Sequence, residues 1–277
     1  MTAIPGPALL FCPANRADRY HKAAGRADGV ILDLEDAVAA AERDAARESI
    51  AAHPLDPDRT LVRVNPAGTA DHEQDVAAVR RAGYTRVMLA KASGPGDLDA
   101  LHDLEVVVLC ETARGVLAAP ELAAMDAVVA LMWGAEDLMA SLGGTSSRFS
   151  VSTSGVAAPY RPVTRHARSR ILLAAGAYGK AAIDAVHLDL DDHVGLRAEA
   201  EDAAASGFAA TACLHPDQVP VVREAYRPDA ARVRWAEEVL AAAPDGGGVH
   251  RLGRQMIDEP LLAQARAVLR RAGKEPM

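Results

Sequence analysis

Two carboxylates fall where a buried chain should not put them. In VVVLCETARG, residues 106–115, an apolar run leads directly into Glu111, and in VALMWGAED, residues 129–137, a similar run delivers Asp137. Such runs read as interior strands, and neighbouring strands lie about 4.8 Å apart. Two acids at adjacent strand tips repel each other unless a cation lies between them. With no cysteine or histidine ligand close by, the pair describes a hard-oxygen site suited to Mg2+ or Mn2+, with open positions for water and substrate. The competing reading pairs Glu111 with Arg114 and lets Asp137 cap the following helix, with no metal. On spacing alone the two readings stand level.

Other run ends carry further chemistry. Arg63 lies inside VRVN, residues 62–65, where an unpaired guanidinium is costly to bury. Its anion is either a substrate or an internal partner among Asp33, Glu35 and Asp36 in LDLED, residues 32–36. Lys91 ends another run and reads as a cation at the site rather than a Schiff-base nucleophile, for which a lone lysine is weak support. His215 suits a base or a hydrogen-bonded structural role equally. Arg16, Arg19 and Lys22 follow the first run on one turn and helix, either as solvated surface or as a seat for a phosphorylated ligand.

The elements that must position these side chains alternate along the chain. Short runs rich in Val, Ile and Leu occur at 9–13, 29–35, 61–65, 86–91, 105–111, 127–134, 185–189 and 210–215, each followed by a helix-like Ala/Glu/Arg segment. Apolar runs of this kind are buried on both faces, and helical crossovers make the sheet parallel. Eight such units close into a barrel, whereas an open doubly wound sheet shows fewer strands and a glycine-rich first turn that is missing here. The expected fold is an α/β TIM (β/α)8 barrel, whose strand ends open on one face, so strand-end acids sit at a mouth. Two departures interrupt the repeat. The Ser/Thr/Gly-rich loop at 142–158 is far longer than most connections and reads as a lid or binding loop. Beyond a helix at about 229–243, a glycine-rich linker at 245–248 leads to a small appendage. The reading therefore divides the chain into a catalytic barrel, 1–243, and a C-terminal lid segment, 244–277.

Composition excludes several classes. Half the residues are hydrophobic and a quarter charged, which is the balance of an ordinary globular chain and not a disordered one. A net charge of −8 supplies no electrostatic reason for a nucleic-acid or anionic-membrane partner. No N-terminal stretch pairs a basic segment with an apolar one, and no apolar run nears the ~18 residues of a membrane span, so the expected location is the cytoplasm. Cys12, Cys110 and Cys213 lack metal or redox spacing and read as reduced core thiols.

The segments LFCPANR (10–16), VILDLEDAV (30–38), VRVN (62–65), LCETARG (109–115), MWGAEDL (132–138), CLHPD (213–217) and QMID (255–258) together resemble the consecutive signatures of the citrate lyase β-subunit-like enzymes of the HpcH/HpaI aldolase superfamily. The likeness spans nearly the whole chain and is nearest to the stand-alone actinobacterial β-hydroxyacyl-CoA and citramalyl-CoA lyases. It implies that Glu111 and Asp137 bind Mg2+, that Arg63 steadies the substrate carboxylate and the oxygen where negative charge develops, and that Glu35 and Asp36 lie near the metal waters. It further implies that Phe11, Arg16 and Lys22 contact coenzyme A, and that Asp258 is the acid a C-terminal lid delivers to a neighbouring subunit of a homotrimer. The implied reaction cleaves a 3-hydroxyacyl-CoA to acetyl-CoA and a 2-oxo or 3-oxo acid. Three rivals stay open: a 4-hydroxy-2-oxo acid aldolase forming pyruvate, a citrate lyase subunit acting on an acyl carrier protein, and a non-catalytic binding barrel.

Overall fold

The computed structural model of the chain describes residues 4–149, 158–243, 249–253 and 255–274. The long loop at 142–158 and the linker at 245–248 therefore lie partly or wholly outside the described residues. Eight parallel strands, β1 (Ala8–Pro13), β2 (Gly29–Asp33), β3 (Thr60–Val64), β4 (Arg86–Leu89), β5 (Glu105–Cys110), β6 (Val128–Trp133), β7 (Ala181–Asp184) and β8 (Ala210–Cys213), follow one another around a closed barrel. β8 pairs with β1 through Ala8 and Thr211, Leu9 and Ala212, and Leu10 and Cys213, which leaves no free sheet edge. The TIM-barrel expectation holds. Helices α1 (Ala17–Arg26), α2 (Arg43–Ala52), α3 (Ala70–Arg81), α4 (Ala113–Ala123), α5 (Ala135–Ser141), α6 (Pro162–Ala177) and α7 (His193–Ser206) lie in the crossovers, and α8 (Gln218–Tyr226) follows β8.

Side chains alternate along a strand, and the barrel interior takes every second one. Leu9, Ile31, Leu61, Met88, Val107, Leu109, Ala130, Met132, Ile183, Ala210 and Ala212 form that interior cluster. Two residues beyond its members Leu9, Ile31, Leu61 and Leu109 come Phe11, Asp33, Arg63 and Glu111, so the same alternation aims a set of polar groups at the end of the barrel where the strands finish.

Two details of the strand reading are corrected. The seventh strand is Ala181–Asp184 rather than 185–189. Val186, Leu188 and Leu190 alternate with polar residues and imitate a strand, but Leu188 and Leu190 are exposed there, while the true strand is short and built largely of alanine. After β4 no α-helix forms; the Gly/Pro-dense SGPG at 93–96 leads into a 3-10 stretch, Pro95–Leu101.

The chain forms two compact units, Met1–Val222 and Arg223–Met277. In the second, α9 (Ala230–Ala241) packs on α10 (Glu259–Arg271), with an antiparallel hairpin of β9 (His250–Leu252) and β10 (Gln255–Ile257) between them in sequence. Ala236, Val239, Ile257, Leu262, Ala265 and Leu269 bury against one another as its own small core.

Candidate active site at the barrel mouth

The tips of β2 to β6 bring five ionisable groups of the sequence reading into one place: Glu35, Asp36, Arg63, Glu111 and Asp137. Lys91 joins them. Arg63 is the structural hinge of the set. Its Nε donates to Asp33 Oδ1 at 2.7 Å and its Nη2 to Asp33 Oδ2 at 2.6 Å, a bidentate pair between adjacent strands. Asp33 also accepts from the backbone N–H groups of Glu35 and Ala37, which fixes the turn that carries the acids of β2. The third arm, Nη1, lies 3.1 Å from Glu35 Oε2 and 4.0 Å from Asp36 Oδ2. The internal ion pair left open by the sequence is therefore present, and it leaves one edge of the guanidinium turned toward the acid cluster. Burial alone would favour loss of the Arg63 proton, but the hydrogen bonds and charge of Asp33, with Glu35 and Glu111, outweigh it and raise the pKa. Phe11 lies below, with Arg63 Cζ 4.9 Å from its ring centroid.

Glu111 follows β5 and is almost fully buried, at 3 % exposed. Its Oε1 accepts from the backbone N–H of Lys91 at 3.1 Å. Room for it is made by Gly134, where a Cβ would lie 2.7 Å from Glu111 Oε2 and 2.9 Å from its Cβ. The carboxyl is pushed up to about 8, first by burial and then by the charge of Asp137; Lys91 and Arg63 oppose the rise without cancelling it. Glu35 is raised for the same leading reason, burial, with Arg63 and Lys91 opposing. Asp137 stands in the first turn of α5, whose N-cap is Gly134, so it is not the cap that the metal-free alternative required. Thr112 caps α4 by accepting from Gly115 N–H at 3.0 Å, and Gly115 lets that helix press on the loop after β4, since a Cβ there would meet the Ala92 carbonyl oxygen at 2.2 Å.

Lys91 links the walls. Its ammonium bonds Glu35 Oε1 and lies 3.4 Å from Asp36 Oδ2 and 3.5 Å from Asp137 Oδ1. Burial would favour the neutral amine, but the hydrogen bond to Glu35 and the charges of Glu35, Glu111 and Asp137 outweigh that and raise its pKa. A protonated amine is a poor Schiff-base nucleophile, and the ion pairs agree with its reading as a cation.

Whether this mouth suits a divalent ion follows from its donors. Lys91 meets both acids, Glu111 through its backbone N–H and Asp137 through its ammonium at 3.5 Å, and after burial the charge of Asp137 is the next cause of the raised Glu111 pKa. Among the described residues no group of three or more His, Cys, Asp or Glu forms a cage for a metal. Two carboxylate donors and open positions fit Mg2+, which keeps waters and substrate oxygens in its shell, better than a fully caged or soft ion.

The remaining sequence candidates have contacts of their own. Arg16 forms a two-point pair with Asp18, and Lys22 is exposed on α1. Asp258 is in the C-terminal unit, where it is the N-cap of α10 and accepts from Leu261 N–H at 3.3 Å. His215 is exposed, its Nδ1 accepting from Asp217 N–H at 3.3 Å, which is the structural reading. Cys12, Cys110 and Cys213 are buried and outside any disulfide, with burial pushing Cys12 up to about 11 and Cys110 up to about 12, so neither of those two is a ready nucleophile. No helix among the described residues is long and apolar enough to cross a membrane. Sequence reasoning missed the function of Gly134, which makes space for Glu111, and named Asp33 only as one of three possible partners of Arg63. The alternation that puts Asp33 and Arg63 on one barrel face was the available signal for choosing it.

A parallel β/α barrel with cations and carboxylates converging at the strand ends defines an enzyme of the TIM-barrel class. Residues 8–216 match the HpcH/HpaI aldolase/citrate lyase family, to which the chain belongs. It is 52 % identical over 269 residues to a citrate lyase subunit beta-like protein of Mycobacterium tuberculosis, covering 97 % of this chain and 96 % of the relative. It is 30 % identical over 299 residues to the human mitochondrial citramalyl-CoA lyase, covering 95 % and 84 %. The crystal structure of M. tuberculosis CitE in complex with magnesium, acetoacetate and coenzyme A superimposes with a TM-score of 0.91 at 51 % identity, covering 99 % of this chain and all of that one.

Proposed function

We propose that the chain is a Mg2+-dependent lyase that cleaves a 3-hydroxyacyl-CoA of the citramalyl, hydroxymethylglutaryl or malyl type to acetyl-CoA and a 2-oxo or 3-oxo acid. Its family makes it a carbon–carbon lyase, and magnesium and coenzyme A are the ligands of its M. tuberculosis relative. The observation that carries the reading is that Lys91 meets both Glu111 and Asp137, while burial and then the charge of Asp137 push the Glu111 carboxyl up to about 8. Acetoacetate beside coenzyme A in that relative is the 3-oxo acid that cleavage of a hydroxymethylglutaryl thioester would leave, which favours substrates of this shape.

In the reaction the substrate hydroxyl gives up its proton, the bond between the α and β carbons breaks, and its electron pair passes into a thioester enolate. A proton returned to the α carbon completes acetyl-CoA. Glu111 and Asp137 would hold the ion, which when bound supplies Lewis acidity at the β-hydroxyl and orients the bond to be broken. Asp33 fixes the plane of Arg63 and leaves Nη1 to face the oxygen where charge develops, a preorganised donor worth ~10²-fold or more in rate. Glu35 and Asp36 border that arm. Phe11, Arg16 and Lys22 contact the coenzyme, the two cations by its phosphates. Asp258 exchanges the α-carbon proton, with water excluded by closure. In this reading the barrel is the catalytic part, and 244–277, whose α10 packs on α9 in the second compact unit, form a lid serving a neighbouring subunit of a cytoplasmic homotrimer.

The test offers purified protein a panel of 3-hydroxyacyl-CoA esters with and without Mg2+ and follows acetyl-CoA and the oxo acids. Mg2+-dependent release of both products from one ester is expected. Cleavage of a free 4-hydroxy-2-oxo acid, activity only on an acyl carrier protein thioester, or silence on every ester would each replace the reading with the corresponding rival.

A further inference from the structure

Lys91 is the one non-glycine residue among those described with a positive φ, 53°, a left-handed conformation that side-chain-bearing residues avoid. Strain of this kind persists where surrounding contacts over-determine it. Here the kink lets one residue do two things. Its N–H points at Glu111 across the β4–β5 gap, while its side chain reaches Glu35 and Asp36 beyond β2 and approaches Asp137 beyond β6. The other cation of the rim, Arg63, spends two of its arms on Asp33, and its third lies 3.1 Å from Glu35 and 4.0 Å from Asp36. Lys91 is thus a rim cation whose ammonium meets Glu35, Asp36 and Asp137 together.

We propose that Lys91 is a positioning residue that acts as the resident cation of the metal site: its ammonium spans the two walls of the mouth and sets the affinity for the divalent ion by competing for Asp137. The proposal rests on Glu111 and Asp137 being the Mg2+ ligands. A monovalent cation near Asp137 opposes an incoming divalent one by direct repulsion and by sharing the same carboxylate, and both effects act at short range in a partly dry site. The ammonium retains Glu35 and Asp36 as partners when the ion takes Asp137, so those acids stay paired beside the Arg63 arm. Removing the ammonium should therefore tighten the metal while impairing turnover, a combination that simple damage to the site does not produce.

The experiment is calorimetric titration of wild type, Lys91→Met, Lys91→Gly and Lys91→Arg with Mg2+ at one pH and ionic strength, paired with kcat on the ester that wild type cleaves. Lys91→Gly accepts the left-handed backbone without strain and keeps the N–H to Glu111, so it separates charge from folding should Lys91→Met misfold. The expected result is Mg2+ binding on the order of tenfold tighter in the Met and Gly variants, with kcat lowered about tenfold or more, and an Arg variant close to wild type in affinity. Unchanged or weaker Mg2+ binding in Lys91→Gly overturns the role of Lys91 while leaving the metal site standing. If wild type binds no Mg2+, or if Glu111→Gln binds it as wild type does, the metal-site reading itself falls and the role of Lys91 falls with it.

Discussion

Glu111→Gln gives the most direct test of the rim, because it should improve the metal-free fold while destroying the site. The side chain is 3 % exposed and its Oε1 accepts from Lys91 N–H; a glutamine keeps the shape and that hydrogen bond. What changes is the charge. The folded carboxyl titrates at about 8 against an ordinary 4.5, so between those values the folded state keeps a proton that the unfolded state releases. Stability of the metal-free wild type must then fall as pH rises through this window. The interval, at about 1.4 kcal/mol per pH unit, bounds the cost at about 5 kcal/mol; relaxation of the neighbouring charges and water penetration reduce it to about 2 kcal/mol. In chelator-treated protein the variant should match wild type near pH 4.5 and exceed it by roughly 4 °C in Tm at pH 8.5. Mg2+ should raise the Tm of wild type at pH 8.5, since it binds the folded state alone, and should leave the variant unmoved. Paired scanning calorimetry across pH, with and without Mg2+, reads both effects. A variant less stable than wild type at pH 8.5, or one that retains the Mg2+ shift, refutes the argument that Glu111 is an undercompensated metal ligand.

Three further outcomes follow from the geometry. Asp258→Asn keeps a good N-cap for α10, since asparagine caps as well as aspartate, so circular dichroism and Mg2+ affinity should be retained while turnover collapses; Asp258→Ala should in addition cost about 1 kcal/mol in chemical denaturation, and wild-type turnover in the Asn variant would remove Asp258 from the mechanism. Gly134→Ala places a Cβ 2.7 Å from Glu111 Oε2, so Mg2+ affinity by calorimetry should weaken about tenfold or more as the carboxylate is pushed aside, and an unchanged Kd would show that Glu111 does not need that space. Asp33→Asn leaves the Arg63 guanidinium buried without its anion, which should cost about 3 kcal/mol in urea denaturation and lower kcat with little change in Mg2+ Kd; a loss confined to Mg2+ affinity would argue against Asp33 acting through Arg63.

The barrel was legible because its signal repeats. Seven of the eight apolar runs lie on the strands found, and the miss at β7 has a physical cause: Ala181, Ala182 and Ile183 carry little β-branched bulk, while Val186, Leu188 and Leu190 alternate convincingly in a segment that is not paired. Strand-end position likewise pointed to Glu111, Asp137, Arg63 and Lys91, because a parallel barrel converts the end of every strand into a place on one rim. The direction of each side chain was harder to read. Counting in twos from Leu61 to Arg63 and from Ile31 to Asp33 puts that ion pair inside the barrel, yet near-continuous apolar strands hide the count, since both faces are buried. Contacts that depend on conformation rather than residue type left no mark at all. Nothing in MLAKAS, residues 88–93, announces the left-handed backbone of Lys91, and Gly134 looks like any glycine between strand and helix until Glu111 is seen lying against it.

The distribution of charge at the rim explains why a site of this kind carries more acids than one ion needs. Arg63 is held in place by two hydrogen bonds to Asp33, which consume one carboxylate. Glu35 and Asp36 occupy the ammonium of Lys91 and keep it from settling wholly on Asp137, at 3.5 Å the most distant of its three anionic partners. Only Glu111 and Asp137 then remain undercommitted, and burial makes Glu111 the more costly of the two to ionise unaided. Were Glu111 and Asp137 to hold a divalent ion, that cost would be relieved, and stability withheld from the empty fold would become binding energy in the loaded one.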